Sequence, residues 1–354
     1  MNKEVRMLCL SDIHIGESKT TAEHTFKSVC GMLTPEVSDV THLVVSGDFT
    51  HRQLTASSEE YQYAVKTFQY LLRFCQDNNI KLRFLEGTPS HDFKQVETLS
   101  LMCDAYDVDF KYFSSIEIEY DAEYDMTILY VPDEMGDTAI DVVSEIHRKM
   151  ELKCLDTVTC AVMHGSFLYH MPGKTSYQIE DFQFVEWFIV IGHNHTKSIV
   201  GNICTPGSLE RNFFGEEGNK GGYIITISPL LDKALFYFIE NTNSHRLDTL
   251  DFTESDTEAA VKRLTQFLKD YPSKYLRIDV TGNEQIETSI LQQITKEYEV
   301  KLEIKKKKQE EKHTLTLDVT FEDLQINTEN ITELILKEIG RDTQEYRDAI
   351  EHIK

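Results

Sequence analysis

Histidine and aspartate residues recur at the ends of short apolar runs in this sequence. Five motifs carry them (SDIH, GDFTH, TPSHD, MHG and GHNH), which supply Asp12, His14, Asp48, His51, His91, Asp92, His164, His193 and His195. A lone histidine after a strand is more often a capping or core residue than a ligand. Five motifs at the same place in five runs indicate one shared site instead. Carboxylate and imidazole together suit a first-row divalent cation.

These candidate ligands are too many for a single ion. Two ions about 3.5–4 Å apart that share a carboxylate form a clamp for the attacking and leaving oxygens of phosphate-ester hydrolysis. The sequence therefore predicts a dinuclear metallohydrolase.

The apolar runs that precede the motifs predict strands. They are VRMLCL, THLVVS, LRFLEG, TVTCAV and WFIVI, with MTILYV as a further strand, and they fit a sheet that is buried on both faces. Between two of them, Ser57 and Glu60 have the spacing of a capping box before an amphipathic helix whose stripe runs from Tyr61 to Cys75. We therefore expect a layered α/β domain over residues 1–245, with ligands at the carboxyl ends of its strands.

The pattern of predicted helices and strands changes after residue 245. Helix and strand patterns over 246–325 predict a small α+β capping domain. Its locally basic loop KLEIKKKKQEEKH is open to two interpretations, a solvated hairpin tip or a patch that contacts the phosphates of DNA. Residues 326–354 predict C-terminal helices with an apolar face, formed by Ile331, Leu334, Ile335 and Ile339. Binding of a partner and ordinary core packing are both open interpretations of that face.

Composition limits the function classes. The formal net charge of −24 over 354 residues counts against a nucleic-acid enzyme. It does not exclude one, because metal ions and a local basic strip can supply positive potential. No apolar stretch is long enough to cross a bilayer, and the first residues lack the pattern of a signal peptide. Seven scattered cysteines favour reduced thiols, so we expect a cytoplasmic protein without membrane contact.

The motif series D-x-H, G-D, H-D, a lone His and G-H-x-H resembles that of the calcineurin-like metallophosphoesterases. Within that superfamily the chain is similar to SbcD-type DNA repair exonuclease subunits. Two further stretches carry this likeness, GDFTHRQ and TPGSLERNFFGEEGNKGGYIIT, in which Arg211, Gly215, Glu216 and Gly222 match. The resemblance extends from residue 5 to about residue 228.

The resemblance implies a role for each residue. It implies that one metal is held by Asp12, His14 and His195, that Asp48 bridges, and that His164 and His193 hold the second metal. It implies that His91 contacts the scissile phosphate and assists the leaving oxygen, that Asp92 orients the His91 imidazole, and that His51 touches the phosphate. Both ions are expected to be manganese, with magnesium or another first-row metal as alternatives.

The chain departs from the family pattern at GTPSHD. The family has G-N-H-D, in which the Asn oxygen is a ligand of the second metal, whereas here two extra residues intervene and Ser90 precedes His91. A hydroxyl is a weaker ligand than an amide oxygen, so we expect Ser90 to leave the second site with looser metal binding, or with a water or a backbone carbonyl in its place.

The function implied by the resemblance is a two-metal DNA exo/endonuclease acting at DNA ends in recombination, repair or replication. It would work with an SbcC-like coiled-coil ATPase, as a homodimer, in a phage-encoded version of the system. Two alternatives stay open. One is a phosphatase or phosphodiesterase on protein or nucleotide substrates with the same metal core. The other is a scaffold subunit that no longer hydrolyses anything.

Overall fold

The computed structural model describes residues 3–133, 138–173, 175–228, 233–252, 257–270, 275–281 and 288–307. Its strands, in chain order, are β1 (Val5–Leu10), β2 (His42–Ser46), β3 (Lys81–Leu85), β4 (Phe110–Phe113), β5 (Glu117–Asp121), β6 (Met126–Val131), β7 (Val158–His164), β8 (Val185–Gly192), β9 (Ser198–Val200), β10 (Ile203–Thr205), β11 (Gly221–Ser228), β12 (Lys233–Glu240), β13 (Leu247–Phe252), β14 (Tyr275–Thr281) and β15 (Lys301–Lys307). Its helices are α1 (Ala22–Met32), α2 (Glu59–Asn78), α3 (Pro89–Asp92), α4 (Gln95–Ser100), α5 (Ala139–Leu152), α6 (Thr257–Asp270) and α7 (Thr288–Glu297).

Two six-stranded sheets face each other. The first has the order β12-β11-β1-β2-β3-β4 and the second the order β5-β6-β7-β8-β10-β9. Strands β1 to β4 are parallel to one another, and so are β6, β7 and β8. The carboxyl ends of the parallel strands in each sheet therefore lie at a common edge.

Successive side chains of β1 point to opposite faces of the sheet, and both faces are buried, so the apolar run is nearly continuous. Leu8 and Leu10 belong to a core shared with α1 and α2, whereas Met7 and Cys9 belong to a core between the two sheets. A third core packs α5 against the outer face of the second sheet. Both faces of each sheet are covered, so the predicted layered α/β architecture is confirmed.

Helix α2 begins one residue later than the sequence pattern predicts. Its N-cap is Ser58, whose hydroxyl accepts a hydrogen bond from the backbone N–H of Tyr61 at 3.1 Å. The predicted capping box that starts at Ser57 is therefore wrong, because only Ser57 has a glutamate three residues later, whereas Ser58 is the residue with the capping geometry. The predicted apolar stripe is confirmed, since Ala64, Phe68 and Leu72 are buried in the helix–sheet core.

A smaller sheet follows in the order β13-β14-β15, with all strands parallel. Helices α6 and α7 pack on it through a separate core that includes Leu250, Leu264, Leu276 and Leu291. The chain divides into compact units at residues 307 and 308. The second unit, with the predicted partner-binding segment 326–354, lies outside the described residues, and the predicted boundaries after 245 and 325 stay predictions.

Two expectations from composition can be compared with the structure. All seven cysteines are free thiols. Among the described helices, none has the length and apolar character to cross a membrane.

Candidate metal centre

The edge formed by the carboxyl ends of β1, β2, β3, β7 and β8 gathers the predicted ligands. Three groups have ligand atoms within 4.8 Å of one another and could hold a metal ion; they are Asp12–His14–His195, His14–Asp48–His91 and Asp48–His164–His193. The first and last of these groups contain the six predicted ligands other than Ser90, with the predicted bridging residue Asp48 in the last. We call them the first and second triplets.

The first triplet brings unprotonated nitrogens to face a carboxylate. His14 Nε2 and His195 Nε2 are 3.1 Å apart, and each lies 3.8 Å from Asp12 Oδ1. His195 Nδ1 is 2.9 Å from Glu216 Oε1, so that nitrogen carries the ring proton and Nε2 presents a lone pair. Burial holds the pKa of His14 well below its usual value, although the Asp48 carboxylate opposes this. His14 is therefore neutral, as a metal ligand must be.

Glu216 orients His195 from behind and is itself fixed. Its carboxylate also accepts a hydrogen bond from Lys220 Nζ at 2.5 Å, and Lys220 is buried. Burial tends to raise the pKa of Glu216, but His195 and Lys220 beside it lower the pKa below its usual value. An ionised carboxylate on the outer nitrogen fixes the tautomer and increases the basicity of the inner nitrogen.

The second triplet is organised around the charge of Asp48. Its Oδ1 lies 3.4 Å from His164 Nε2, and His164 Nδ1 donates to the Ser46 carbonyl at 2.8 Å. Burial opposes protonation of His164, but the Asp48 carboxylate outweighs it and raises the pKa of His164 to about 10. A place that attracts a proton between a buried carboxylate and an imidazole also attracts a metal cation.

Asp48 belongs to the second triplet and also faces the first. Its Oδ2 is 3.6 Å from His14 Nε2, while its Oδ1 faces His164. Burial works against ionisation, but His164 and His91 hold the pKa of Asp48 well below its usual value. One carboxylate with an oxygen toward each triplet is what two neighbouring cations need in order to share a ligand. The donor set thus fits a pair of divalent ions, and the described His/Asp clusters could hold them.

Ser90, which we predicted as a ligand of the second metal, is exposed at the surface. Thr88 lies beside the second triplet instead. Thr88 Oγ1 lies 3.3 Å from Asp48 Oδ2, 3.3 Å from His164 Nε2 and 3.4 Å from His193 Nδ1. Its backbone N–H also donates to Asp48 Oδ1 at 2.6 Å. The prediction erred because the two extra residues separate the position after Gly87 from His91. Pairing the family Asn with the residue that follows the glycine would have indicated Thr88.

Asp92 has a different contact from the predicted one. Its buried carboxylate accepts backbone N–H groups of Gly87 at 2.8 Å, Asp48 at 3.0 Å and Thr50 at 2.9 Å. It therefore ties the loop after β2 to the loop after β3, whereas His91 Nδ1 meets Asp48 Oδ2 at 2.8 Å. Burial, with the charges of Asp48 and Glu86, raises the pKa of Asp92 to about 8.

An open cleft of about 410 Å³ lies over the cluster. His51 and His91 line it with their rings stacked at 5.2 Å, and His91 is 29% exposed. His51 Nδ1 is 3.3 Å from His14 Nδ1. Both predicted substrate-facing histidines therefore lie at the cleft beside the cluster. Phe213 and Met171, which the sequence did not single out, line the same cleft.

The backbone is strained at four candidate ligands. Asp12, His14 and Asp48 have φ values of 50° to 53°, and His193 has φ of 93°. The left-handed region costs non-glycine residues of order 1–3 kcal/mol each, and such residues concentrate at functional sites. This local cost is consistent with side chains held in place for chemistry.

Gly47 explains the glycine of the G-D motif. Its φ is +89°, and a Cβ there would lie 2.1 Å from His164 Nδ1 and 2.7 Å from the Gly87 Cα. Any side chain at this position would separate His164 from the Ser46 carbonyl. The glycine thus permits the two sheets to bring their loops together under the cluster.

Comparisons with known proteins give little further information. No protein-family model and no curated protein matches the chain. One similar crystal structure has 12% sequence identity and a TM-score of 0.39, and the alignment covers 67% of this chain and 99% of that one. Another, the protein TT1561 of Thermus thermophilus, has 9% identity and a TM-score of 0.38 over 67% of this chain and 99% of that chain. Similarities of this size do not bear on function.

Proposed function

We propose that the protein is a two-metal phosphodiester hydrolase that acts on DNA. The observation that supports this most directly is the meeting of the two triplets at Asp48, whose two carboxylate oxygens face His14 and His164. An aspartate with a purely structural role would not need to present one oxygen to each of two histidine groups. Two cations joined by one carboxylate suit phosphate-ester hydrolysis, because they stabilise charge on both the attacking and the leaving oxygen.

The residues divide the work between them. Asp12, His14 and His195 would hold one ion, His164, His193 and Thr88 the other, and Asp48 both. Divalent ions bound there supply Lewis-acid stabilisation of the phosphoryl oxygens. Glu216 and the Ser46 carbonyl hold the His195 and His164 rings in the tautomers that present Nε2 to the cluster.

Proton transfer falls to the two half-buried histidines that line the cleft. The leaving oxygen must gain a proton, and His91 faces the cleft with its other nitrogen fixed on Asp48. The His91 imidazole is thereby aimed at the substrate, and His51 stacks against it. A positioned imidazole acid contributes about 10²–10⁴-fold to such reactions.

DNA as substrate and an SbcC-like ATPase as partner rest on the resemblance of the motif series and of the segment around Arg211 and Glu216. Manganese as the resident ion rests on the same likeness. The proposed docking segment for the ATPase, 326–354, lies outside the described residues. In a chain with a formal net charge of −24, bound cations would add positive potential at the cleft.

The test is a cleavage assay on linear duplex and single-stranded DNA with Mn²⁺, Mg²⁺ or chelator, with and without a candidate ATPase. We expect metal-dependent cleavage that Asp48→Asn abolishes and that Asp104→Asn, a change at an exposed carboxylate, leaves intact. Hydrolysis of a phosphomonoester without cleavage of DNA would favour the phosphatase alternative. Metal binding without hydrolysis of either substrate would favour the scaffold.

A further inference from the structure

Phe213 is a large apolar side chain held in solvent at the wall of the cleft. Its ring is 55% exposed and lies nearly parallel to the His195 imidazole, at 14° and 5.7 Å between centroids. One part of the ring thus covers a candidate metal ligand while the rest stays open. Met171, which is 53% exposed, lines the same cleft. A site for phosphate alone has no need of an apolar wall.

The loop that carries Phe213 is fixed at several points. Arg211 donates to the Gly218 carbonyl at 2.6 Å and to Ser244 Oγ at 3.0 Å. The next residue, Phe214, has its ring 5.2 Å from the Arg277 guanidinium carbon in β14. The chain on both sides of Phe213 is therefore anchored, so less conformational entropy of the loop is lost when a ligand covers the exposed ring.

Positive charge lies at the same wall. Lys19 Nζ is 5.5 Å from the Phe213 ring centroid, and it also contacts Glu17 Oε1 at 3.3 Å. An aromatic face beside a cation and a phosphate-binding cluster is the combination that single-stranded nucleic acid uses, because bases stack while the backbone is neutralised.

We propose that Phe213 is a stacking platform for the nucleobase next to the scissile phosphate, so that the strand is bound with that base unpaired. This inference deepens the proposed function and rests on it for the identity of the reaction. A base inside a duplex has both faces occupied by its neighbours, so the platform favours single strands and frayed ends over intact duplex. Phe213 is then a specificity-determining residue.

The test separates stacking from hydrolysis. Binding of an oligothymidylate that carries one 2-aminopurine is measured by stopped-flow fluorescence with Mn²⁺ present, before cleavage proceeds. An otherwise identical strand with an abasic residue in its place is a competitor. We expect wild-type protein to quench the 2-aminopurine and to prefer it over the abasic strand. Phe213→Leu should weaken binding by about 5- to 150-fold and remove the quenching, since stacking is worth about 1–3 kcal/mol per base. Phe213→Trp should restore both.

Tyr237→Leu is the matched control, because Tyr237 is a 69% exposed aromatic residue on β12 that does not line the cleft. It should bind like wild type. Equal binding of the two strands by wild-type protein, or an unchanged Phe213→Leu variant, would overturn the platform. If binding of the base depends on Phe213 but the protein cleaves no DNA, the stacking site would be supported and the proposed hydrolysis refuted.

Discussion

Replacing Glu216 with glutamine should weaken metal binding at the first triplet without removing any ligand. The Glu216 carboxylate accepts hydrogen bonds from His195 Nδ1 at 2.9 Å and from Lys220 Nζ at 2.5 Å, and a longer one from the Asn212 backbone N–H at 3.3 Å. Glutamine has one oxygen and one NH₂ group. Since all of these neighbours are donors, either His195 on one side or Lys220 and Asn212 on the other must then face the NH₂ group. The His195 ring loses either its anionic partner or its orientation.

The expected magnitude follows from that geometry. Loss of an outer partner of a metal-bound histidine costs about 10- to 100-fold in metal affinity, which corresponds to about 1.4–2.8 kcal/mol. A second cost falls on stability, because Lys220 is buried and keeps only neutral acceptors, Ser208 Oγ and the His195 carbonyl, both at 2.9 Å. Burial already lowers the pKa of Lys220, so the variant should hold this amine less readily in its charged form.

Metal affinity can be measured by competition with a chromophoric chelator, and the absorption of bound Co²⁺ reports on the ligands directly. Glu217→Gln is the control, because Glu217 is the exposed neighbour in the same loop. We expect Glu216→Gln to bind the first equivalent of metal about 10- to 100-fold more weakly than Glu217→Gln. Equal affinities and equal Co²⁺ spectra in the two variants would refute the idea that Glu216 supports His195 as a ligand.

Three further predictions concern other parts of the structure. Thr88→Val should leave one metal equivalent tightly bound and weaken the second, as measured by metal content after dialysis, because the hydroxyl at 3.3 Å from Asp48 Oδ2 is lost; unchanged content would show that Thr88 is not part of the site. His91→Ala should keep its metal and lose about 10²–10⁴-fold in turnover, whereas loss of metal would make His91 a ligand. Asp121, whose oxygens lie 2.7 Å from Lys81 Nζ and 3.0 Å from His42 Nε2, should stabilise the fold at neutral pH. Although burial raises it, these partners hold its pKa below the usual value, so Asp121→Asn should cost about 3 kcal/mol by urea unfolding at pH 7. That difference should shrink as the pH falls below about 4, where the unfolded carboxylate takes up its proton; a difference that is independent of pH would contradict the ion-pair interpretation.

The parts of the fold that the sequence predicts well are local. Apolar runs of five to seven residues followed by glycine or small polar residues predicted β1, β2, β3, β7 and β8, because a strand buried on both faces needs little else. The division of these strands between two facing sheets could not be predicted in this way. Strands of either sheet have the same apolar pattern. That β3 pairs with β2 in one sheet, and β8 with β7 in the other, is decided by contacts between distant parts of the chain.

The site shows the same contrast between local and distant information. Asp and His at strand ends were found from residue type and position alone. The contact of Asp92 was not, because two of its three backbone partners, Asp48 and Thr50, lie more than forty positions away in another loop. Thr88 was missed because threonine is a weak indicator of metal binding, and only its distance from His164 and His193 marks it.

The left-handed backbone at Asp12, His14, Asp48 and His193 affects how a mutational scan of the site must be interpreted. At each position the backbone favours glycine or asparagine, while the chemistry requires a carboxylate or an imidazole. Alanine removes the functional group and also introduces a residue poorly suited to that backbone, so a lost activity has two causes. Asparagine keeps the tolerance for left-handed φ and takes away the charge or the ring nitrogen, while its amide oxygen remains a neutral and weaker ligand than a carboxylate. For these four residues asparagine, and not alanine, is therefore the substitution that isolates chemistry from folding.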